Sequence, residues 1–370
     1  MGERQSTLED VVITRDFWKQ KTVLITGHTG FKGSWLSLWL QILGVRVIGL
    51  ALRPPTKPSL FELAKVSDGM VSITGDIRDL DCVKSTFKDY RPELVIHLAA
   101  QSLVRRSYSY PIETYATNVM GTANILEAAR HTKSVRSVLC ITSDKCYENR
   151  EWVWGYRENE PMGGFDPYSS SKGCAELVIS AYQNSFYRNQ TNNDQIISLA
   201  SARAGNVIGG GDWAEDRLVP DIMKALIDRQ ETTIRNPGSI RPWQHVLEPL
   251  YGYLMLAEKM WDDPATYSSG WNFGPAEDDA RPVSWIVDYL TTAWGGGDVR
   301  IAEKDNHLHE AVYLKLDCSK ARNLLGYRPV LPLDTALDWI LDWYRNYQDD
   351  SDMRRVTESQ CLKFMDKTSL

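Results

Sequence analysis

The sequence predicts an α/β protein in which a doubly wound parallel sheet is followed by a smaller, mostly helical C-terminal domain. Three observations support this class. Short apolar, β-branched segments alternate with segments of helical periodicity over residues 18–205. A glycine-rich turn follows the first apolar segment, and the alternation ends near residue 205. Strands that alternate with helices are joined by right-handed crossovers, which build a parallel sheet.

Six short apolar segments have the length and composition of buried strands. They are residues 21–25, 45–50, 70–73, 94–98, 137–141 and 196–199. Three longer segments have apolar residues at helical spacing, such as Trp35, Leu38 and Trp39. They are residues 34–43, 118–130 and 168–187. The first half of the chain therefore predicts a sheet covered by helices.

The second half predicts mainly helices, at residues 218–229, 283–293 and 333–347. We therefore divide the chain into four parts. They are an N-terminal tail 1–17, a sheet domain 18–205 to which segments near 240–260 return, a helical domain that is mainly 206–348, and a C-terminal tail 349–370. Because the last part is densely charged, we expect it to be loosely packed.

Composition and charge exclude several classes of protein. The 370 residues carry 42 Lys and Arg against 48 Asp and Glu, a formal net charge of -6. Nucleic acids and anionic membrane surfaces favour a cationic partner, so we expect neither to bind. The apolar runs are far shorter than the ~18 residues of a membrane span, and no signal peptide is visible. The six cysteines are scattered without a zinc-ligand spacing, so we expect a reduced, cytoplasmic enzyme without a metal site.

The turn after the first strand contains Gly27, Gly30 and Gly33. Its spacing is one residue longer at the front than the dinucleotide-binding fingerprint G-x-G-x-x-G. The physical roles are the same, because Gly27 permits a tight turn, Gly30 lets backbone N–H groups approach a pyrophosphate, and Gly33 allows a helix to pack closely on the strand. Since a helix N-terminus also attracts anions, this position favours a Rossmann-type dinucleotide site over a plain turn.

The residue that normally binds the adenosine ribose is missing. An Asp or Glu about 20 residues after the glycines usually accepts the 2′-hydroxyl. Here Arg53 follows the second strand, and the next carboxylate is Glu62. Arg53 suits either the 2′-phosphate of NADP or an exposed loop position, so this feature leaves the choice between NAD and NADP open.

Tyr168 and Lys172 are four residues apart at the start of a predicted helix, so they lie on one face. A lysine ammonium beside a phenol favours the phenolate and lowers a pKa that is ordinarily about 10. A phenol of lowered pKa is a suitable general base for an alcohol. The alternative is a packed Tyr with a surface Lys. The position of the pair after the fifth strand, opposite the glycine turn, favours catalysis.

With these motifs the chain resembles the extended short-chain dehydrogenase/reductase family from about residue 20 to residue 347. Further support for the resemblance comes from residues 97–102, 118–122 and 317–329. A resemblance to the nucleotide-sugar 4,6-dehydratase branch, and within it to the members that act on CDP-glucose, rests on residues 142–147, 209–213 and 241–245. It implies a nucleotide-sugar substrate, a tightly held NAD and a homodimer formed through the helices 118–130 and 168–187.

The motifs and the resemblance together name the expected binding residues. Those expected at the cofactor are Gly27, Thr29, Gly30, Phe31, Lys32, Gly33, Arg53, Asp76, Ile77, Leu98, Ala99, Ala100, Tyr168 and Lys172. Those expected at the substrate are Gln101, Ser102, Asn206, Arg241 and Asn272. Arg203 also follows a strand. It could bind the substrate pyrophosphate or, equally, form a structural salt bridge.

The resemblance implies a reaction of three steps on NAD, namely oxidation at sugar C4, loss of water across C5 and C6, and return of the hydride to C6. It implies that Tyr168 takes the proton of the 4-hydroxyl, that Ser143 hydrogen-bonds that hydroxyl, and that Lys172 binds the nicotinamide ribose. Asp144 would protonate the departing 6-hydroxyl and must itself stay protonated for this role.

Lys145 stands where the dTDP-sugar members of the branch carry Glu as the C5 base. We expect Lys145 to act as that base, which requires a neutral amine. The alternative is a charged Lys145 that stabilises the enolate or pairs with Asp144. Rival functions are dehydration or 4-epimerisation of a dTDP-, GDP- or UDP-sugar, and non-catalytic dinucleotide sensing. The presence of both Asp144 and Lys145 argues against a simple epimerase.

Overall fold

A computed structural model of the chain describes residues 13–187, 196–276, 279–302 and 313–368. The strands in chain order are β1 Thr22–Thr26, β2 Arg46–Ala51, β3 Val71–Thr74, β4 Leu94–His97, β5 Ser137–Ile141, β6 Ser198–Arg203, β7 Val207–Ile208, β8 Thr232–Ile234, β9 Ile240–Pro242, β10 Gln244–His245, β11 Gly270–Asn272, β12 Ala280–Pro282 and β13 Val299–Ile301. Seven of them form one sheet, in the order β11–β6–β5–β4–β1–β2–β3, and the others form three two-stranded pairs.

All neighbours in the seven-stranded sheet are parallel. This order and direction confirm the predicted doubly wound sheet of the Rossmann type. The six predicted strands are all present, and five of them agree with the structure within one residue at each end. In such a sheet the strand order reverses between β1 and β4, so a crevice opens beyond their carboxyl ends.

The helices in chain order are α1 Arg15–Trp18, α2 Phe31–Ile42, α3 Leu60–Leu63, α4 Leu80–Tyr90, α5 Val104–Ser109, α6 Pro111–Tyr115, α7 Gly121–Arg130, α8 Pro167–Tyr182, α9 Leu218–Asp228, α10 Leu247–Asp262, α11 Pro264–Tyr267, α12 Val283–Trp294, α13 Leu333–Gln348 and α14 Met353–Lys367. Single π-helical turns precede α7 and follow α8. The predicted helices 118–130 and 168–187 each contain one of these turns.

Alternate strand residues enter two apolar clusters, one on each face of the sheet. On one face, Leu24 and Val95 pack with α4, α7 and α8. On the other face, Val23 and Ile96 pack with α2, α10 and the C-terminal helices. Burial on both faces explains why the strands are continuous runs of apolar residues rather than alternating ones. The return of α10 to the sheet agrees with the segment expected near 240–260.

The expectation of a loosely packed C-terminal tail is wrong. Asp352 caps α14 by accepting hydrogen bonds from two backbone N–H groups, and Phe364 packs edge-on against Trp39 of α2 at 5.6 Å between ring centroids. Trp343 Nε1 of α13 donates to Thr357 Oγ1 at 3.0 Å. Apolar residues at helical spacing therefore fix α14, in spite of its many charges. Of the expected N-terminal tail, residues 1–12 lie outside the described residues.

Within the described ranges, none of the helices is both long enough and apolar enough to span a bilayer. The same residues contain no group of three or more His, Cys, Asp or Glu side chains arranged to hold a metal ion.

Candidate active site

Two cavities open at the carboxyl edge of the sheet. The smaller one, of about 560 Å³, lies over the glycine turn and the ends of β1, β2 and β4. The larger one, of about 810 Å³, lies between the end of β5 and the helical half of the chain. Both volumes are in the range of small-molecule sites. The cavities share a wall that includes Lys32, Ser102, Ser143, Tyr168, Ala204, Asp212 and Arg217.

The glycine turn forms the floor of the smaller cavity. Gly27 has φ +78°, and a Cβ there would lie 2.7 Å from the Ala99 nitrogen. A Cβ on Gly33 would lie 2.1 Å from the Gly27 carbonyl oxygen, so α2 packs this closely on the turn only because Gly33 has no side chain. A Cβ on Gly30 would meet only the Gly27 oxygen, at 3.4 Å. The space in front of Gly30 is therefore open to a ligand.

The N-terminus of α2 points into this cavity without a side-chain cap. Its first backbone N–H groups are therefore available to an anion, and the helix dipole favours negative charge there. Every residue predicted at the cofactor lines this cavity, including Thr29, whose hydroxyl donates to the Leu52 carbonyl at 2.9 Å. The arrangement fits the pyrophosphate of a dinucleotide.

The far end of the smaller cavity has no carboxylate on β2, as the sequence predicts. Arg53 is exposed on the cavity wall. Asp76 accepts hydrogen bonds from the Arg78 guanidinium, which lowers the pKa of that carboxyl. Arg53 and the Asp76–Arg78 pair supply charged groups at this end, and the Arg106–Glu113 ion pair also lines the cavity.

The turn after β5 brings three predicted catalytic residues into the larger cavity. Ser143 Oγ donates to Asp144 Oδ1 at 2.9 Å, and both side chains are buried. A Cβ on Gly205 would lie 1.8 Å from Asp144 Oδ2, so the carboxylate packs directly on the backbone of a second strand end. Lys145 is exposed on the cavity wall. The structure therefore buries Asp144 and leaves the side chain of Lys145 exposed.

Tyr168 and Lys172 lie on one face of α8, and both line the smaller cavity. Burial raises the pKa of Tyr168 to about 12, although a hydrogen bond with Ser143 and the charge of Arg217 act in the opposite direction. Lys172 Nζ donates to the Ile141 carbonyl at 3.3 Å. Burial lowers the pKa of Lys172 to about 8 against the opposing effect of a nearby carboxylate. Both residues therefore line the cavity as predicted, but the expectation that Lys172 lowers the pKa of Tyr168 is wrong, because burial raises that pKa.

Lys32 of α2 reaches the wall that the two cavities share. Burial, together with the charges of Arg217 and Lys172, lowers the pKa of Lys32 to about 7. The sequence predicted Lys32 only as a cofactor residue. In the structure its ammonium also borders the larger cavity, beside Asp144.

A buried network supports the catalytic turn from behind. Arg203 and Glu176 form an ion pair at 2.8 Å, with side chains only 5% and 4% exposed. Glu176 also accepts hydrogen bonds from the Thr142 and Ser201 hydroxyls. Of the two alternatives for Arg203, the structure shows the salt bridge. Because Thr142 directly precedes Ser143, the network holds α8 against the end of β5.

Three of the five residues predicted at the substrate line the larger cavity, namely Ser102, Asn206 and Arg241. Gln101 does not, because its side chain is bonded to Leu103 and Thr114 on the side of the smaller cavity.

Asn272 was also expected at the substrate, and like Gln101 it does not line the larger cavity. It is fully buried, and its Nδ2 donates to the carbonyls of Tyr156 and Asp317. Its Oδ1 accepts a hydrogen bond from the Tyr147 hydroxyl at 2.8 Å, so both ends of the amide are bonded within the protein and the side chain does not line the larger cavity.

Sequence reasoning missed Arg217, whose Nη1 pairs with Asp212 Oδ2 at 2.9 Å on the shared wall. A single Arg in the polar segment 212–217 gives no local signal of a site. Gly205 was also missed, because its close contact with Asp144 joins residues far apart in the chain.

Fold and site together define a dinucleotide-binding protein of the extended short-chain dehydrogenase/reductase class. A family model described as GDP-mannose 4,6 dehydratase matches residues 24–338. The chain belongs to that family.

Curated relatives and solved structures agree with this assignment. A CDP-glucose 4,6-dehydratase of Salmonella typhimurium is 53% identical over 358 residues, which are 97% of this chain and 100% of the relative. A dTDP-glucose 4,6-dehydratase of Streptomyces antibioticus is 29% identical over 74% of this chain and 76% of its own length. A UDP-glucose 4-epimerase of Thermus thermophilus in complex with NAD has a TM-score of 0.75 at 22% identity, covering 88% of this chain and 99% of that structure.

Proposed function

We propose that this chain catalyses the NAD-dependent 4,6-dehydration of CDP-glucose, giving CDP-4-dehydro-6-deoxyglucose. The observation that carries the proposal is the meeting of Ser143, Asp144 and Lys145 with Tyr168 in one cavity, next to a dinucleotide-type cavity. The identity of 53% to a CDP-glucose 4,6-dehydratase over nearly the whole chain supports the choice of sugar nucleotide.

NAD is the proposed cofactor, and the residues of the smaller cavity suit it. The open space in front of Gly30 and the uncapped start of α2 would receive the pyrophosphate. Lys172 would bind the nicotinamide ribose, and Asp76 with Ile77 would border the adenine. When bound, NAD supplies a two-electron acceptor that is regenerated within the turnover. The residue after β2 is the exposed Arg53 and not a carboxylate that would accept a ribose hydroxyl, so NADP is the alternative that cofactor analysis must distinguish.

Tyr168 is the proposed base for the 4-hydroxyl of the sugar. Its phenol hydrogen-bonds Ser143, which would orient the same hydroxyl. Asp144 is the proposed acid, and it would donate its proton to the departing 6-hydroxyl. Asp144 is buried at the cavity wall, packs on Gly205 and accepts a hydrogen bond from Ser143, which fixes its position for this role.

Lys145 is the proposed base at C5, where the 4-ketone acidifies the C–H bond. Its side chain is exposed on the wall of the larger cavity, where a bound sugar would meet it. The Lys145→Met variant should therefore lose the incorporation of solvent deuterium at C5. Near-normal loss of water by this variant would exclude Lys145 as the base and leave only an electrostatic role.

Arg241 and Asn206 are proposed to hold the substrate pyrophosphate. Both line the larger cavity on the side of the helical half of the chain. The planar guanidinium of Arg241 can grip two phosphate oxygens at once. Local groups of this kind explain how a chain with a net charge of -6 would bind an anionic ligand.

The test is mass analysis of the product after incubation with NAD and, separately, CDP-, dTDP-, GDP- and UDP-glucose. Loss of one water from CDP-glucose alone is the expected result. The Tyr168→Phe variant should be inactive, whereas Tyr289→Phe, which removes an exposed phenol hydroxyl bonded to Asp338, should not. A product of unchanged mass whose proton NMR spectrum shows inversion at C4 would indicate a 4-epimerase, and no change in mass or spectrum with any of the sugars would refute the proposal.

We also propose that the protein is a homodimer formed through α6, α7 and α8. Three apolar side chains on or next to these helices are largely exposed, namely Ile112 at 80%, Leu177 at 61% and Met120 at 57%. A self-complementary apolar face of this kind is typical of a two-fold interface. Sedimentation of the wild type and of Leu177→Glu tests the proposal, since the variant should be monomeric.

A further inference from the structure

Tyr147 directly follows the single helical turn Asp144–Cys146, which carries the proposed acid and base. Its side chain is only 1% exposed, and its hydroxyl is bonded to two other strand ends. The hydroxyl donates to Asn272 Oδ1 at 2.8 Å, at the end of β11, and accepts from Arg203 Nη1 at 2.6 Å, at the end of β6. Because a phenol has one proton to donate, these two bonds fix its orientation.

The ring of Tyr147 is held independently of its hydroxyl. It stacks on Tyr156 with 5.3 Å between ring centroids, and Trp152 stacks on Tyr156 in turn at 5.7 Å. The Arg203 guanidinium lies 5.0 Å from the centroid of the Tyr147 ring, and its Nη1 also donates to the Glu158 carbonyl at 3.1 Å. Removing the hydroxyl alone would therefore leave the ring packed and Arg203 Nη1 with a partner.

The buried ion pair between Glu176 and Arg203 reaches both ends of the segment that contains this turn. At the front end Glu176 accepts a hydrogen bond from the Thr142 hydroxyl, and at the back end Arg203 donates to the Tyr147 hydroxyl. Lys145 lies two residues before the back end. Because the side chain of Lys145 is exposed, its position depends on the backbone of the turn, and the bond to Tyr147 fixes that backbone.

We propose that Tyr147 is a positioning residue, whose hydroxyl fixes the turn so that the Lys145 amine faces the C5–H bond of the sugar. This inference rests on the proposed function for its role in turnover. In that step the C5–H bond breaks, the proton goes to Lys145, and the electron pair forms the enolate of the 4-ketone. The enolate then expels the 6-hydroxyl, which Asp144 protonates, as water. Tyr147 exchanges no proton.

The test is a single turnover in which Tyr147→Phe, saturated with NAD, is mixed with CDP-glucose and the absorbance of bound NADH is followed. The absorbance rises when C4 is oxidised and falls when the hydride returns to C6, after water has been lost. Oxidation uses Ser143 and Tyr168, at the front end of the segment and on α8, so the rise should match wild type.

The fall should be about 10- to 100-fold slower, which is the loss that a misplacement of about 1 Å produces. With CDP-glucose deuterated at C5 the fall in Tyr147→Phe should slow further, because cleavage of the C5–H bond then limits it.

Tyr187→Phe is the matched control. Tyr187 is also 1% exposed, its hydroxyl donates to the Leu126 carbonyl at 2.7 Å, and neither residue lines a cavity. Both the rise and the fall should match wild type. If Tyr147→Phe does not fold, Arg203→Lys removes the bond to the Tyr147 hydroxyl from the other side and keeps a cation for Glu176. It should slow the fall in the same way.

Three results would overturn the inference. An equal slowing of rise and fall in Tyr147→Phe would indicate a general loss of structure. An unchanged fall would show that the hydroxyl does not position the turn, and a raised KM alone would make Tyr147 a substrate-binding residue. A fall that is equally slow in Tyr187→Phe would mean that the loss of any buried phenol hydroxyl has this effect.

A measurement without turnover separates this inference from the proposed function. In NAD-saturated protein whose lysines carry isotope-labelled methyl groups, the NMR signal that disappears in Lys145→Arg reports the surroundings of this amine. It should shift or broaden in Tyr147→Phe and coincide with wild type in Tyr187→Phe. An unmoved signal would refute the role of Tyr147 even if CDP-glucose is dehydrated. A moved signal with no reaction on CDP-glucose would refute only the proposed function.

Discussion

Replacing Arg203 by Met should destabilise the protein through the carboxylate that it leaves behind. Glu176 is only 4% exposed, and its partner Arg203 supplies two of its four hydrogen bonds. Removing one member of a buried ion pair costs about 3–5 kcal/mol. The entropy of unfolding of 370 residues is about 0.8 kcal/mol per kelvin at the usual value per residue, so Tm should fall by about 4–6 °C.

Thermal unfolding followed by circular dichroism measures the effect, and two further variants make it specific. The double variant Glu176→Met, Arg203→Met should recover most of the loss, because an apolar pair of similar volume replaces the charges. Arg300→Met removes the exposed ion pair with Glu231, whose side chains are 65% and 50% exposed, and should lower Tm by no more than about 1 °C. A double variant as unstable as the single one would refute the reasoning, because the unpaired charge would not be the cause.

The other predictions concern the glycine turn and the pH dependence of stability. Gly33→Ala should lower Tm because its Cβ would lie 2.1 Å from a backbone oxygen, whereas Gly30→Ala should leave Tm unchanged and weaken NAD binding measured by calorimetry. Equal Tm losses in both variants would contradict this. Burial raises the pKa of Glu258 to about 7. Between pH 4.5 and 7 the folded state therefore binds a proton at this carboxyl that the unfolded state has released. Its contribution to stability is present near pH 4.5 and is lost as pH rises through 7. In urea titrations, Glu258→Gln should therefore flatten the fall of unfolding free energy between pH 4.5 and 7, and an unchanged slope would count against this assignment.

The central sheet was predictable because its signal is local. Strands β1, β2, β4 and β5 are short apolar runs that are buried along almost their whole length, and burial on both faces requires such runs whatever the rest of the chain does, whereas the edge strand β3 alternates between half-buried and exposed residues. Helix α4 was missed, since only Val83, Thr86 and Phe87 of its eleven residues are buried and the rest are largely charged or polar. Helix α14 was missed for the same reason, since many of its residues are charged. Its Phe364 and Met365 are fixed by packing on helices that are distant in sequence.

The cofactor side of the site was predictable for a related reason. Gly27 and Gly33 are required by the geometry of one turn, and Tyr168 and Lys172 by one turn of a helix, so sequence spacing carries the information. The substrate side depends on contacts between distant segments. The Nδ2 of Asn272 donates to two carbonyls that lie far from it in sequence, and the residues next to Asn272 give no sign of these contacts.

By itself, the sequence determined the class of sheet, the glycine turn, the Tyr168–Lys172 pair and the acidic surface charge, because periodicity, spacing and composition are properties of neighbouring residues. Only the tertiary structure decided that burial raises the pKa of Tyr168, that Asp144 is buried while Lys145 is exposed, and that Arg203 pairs with Glu176. These choices depend on burial and on charges brought together from separate strands and helices, and electrostatic energies in a folded chain are set by distance and solvent access rather than by separation in sequence.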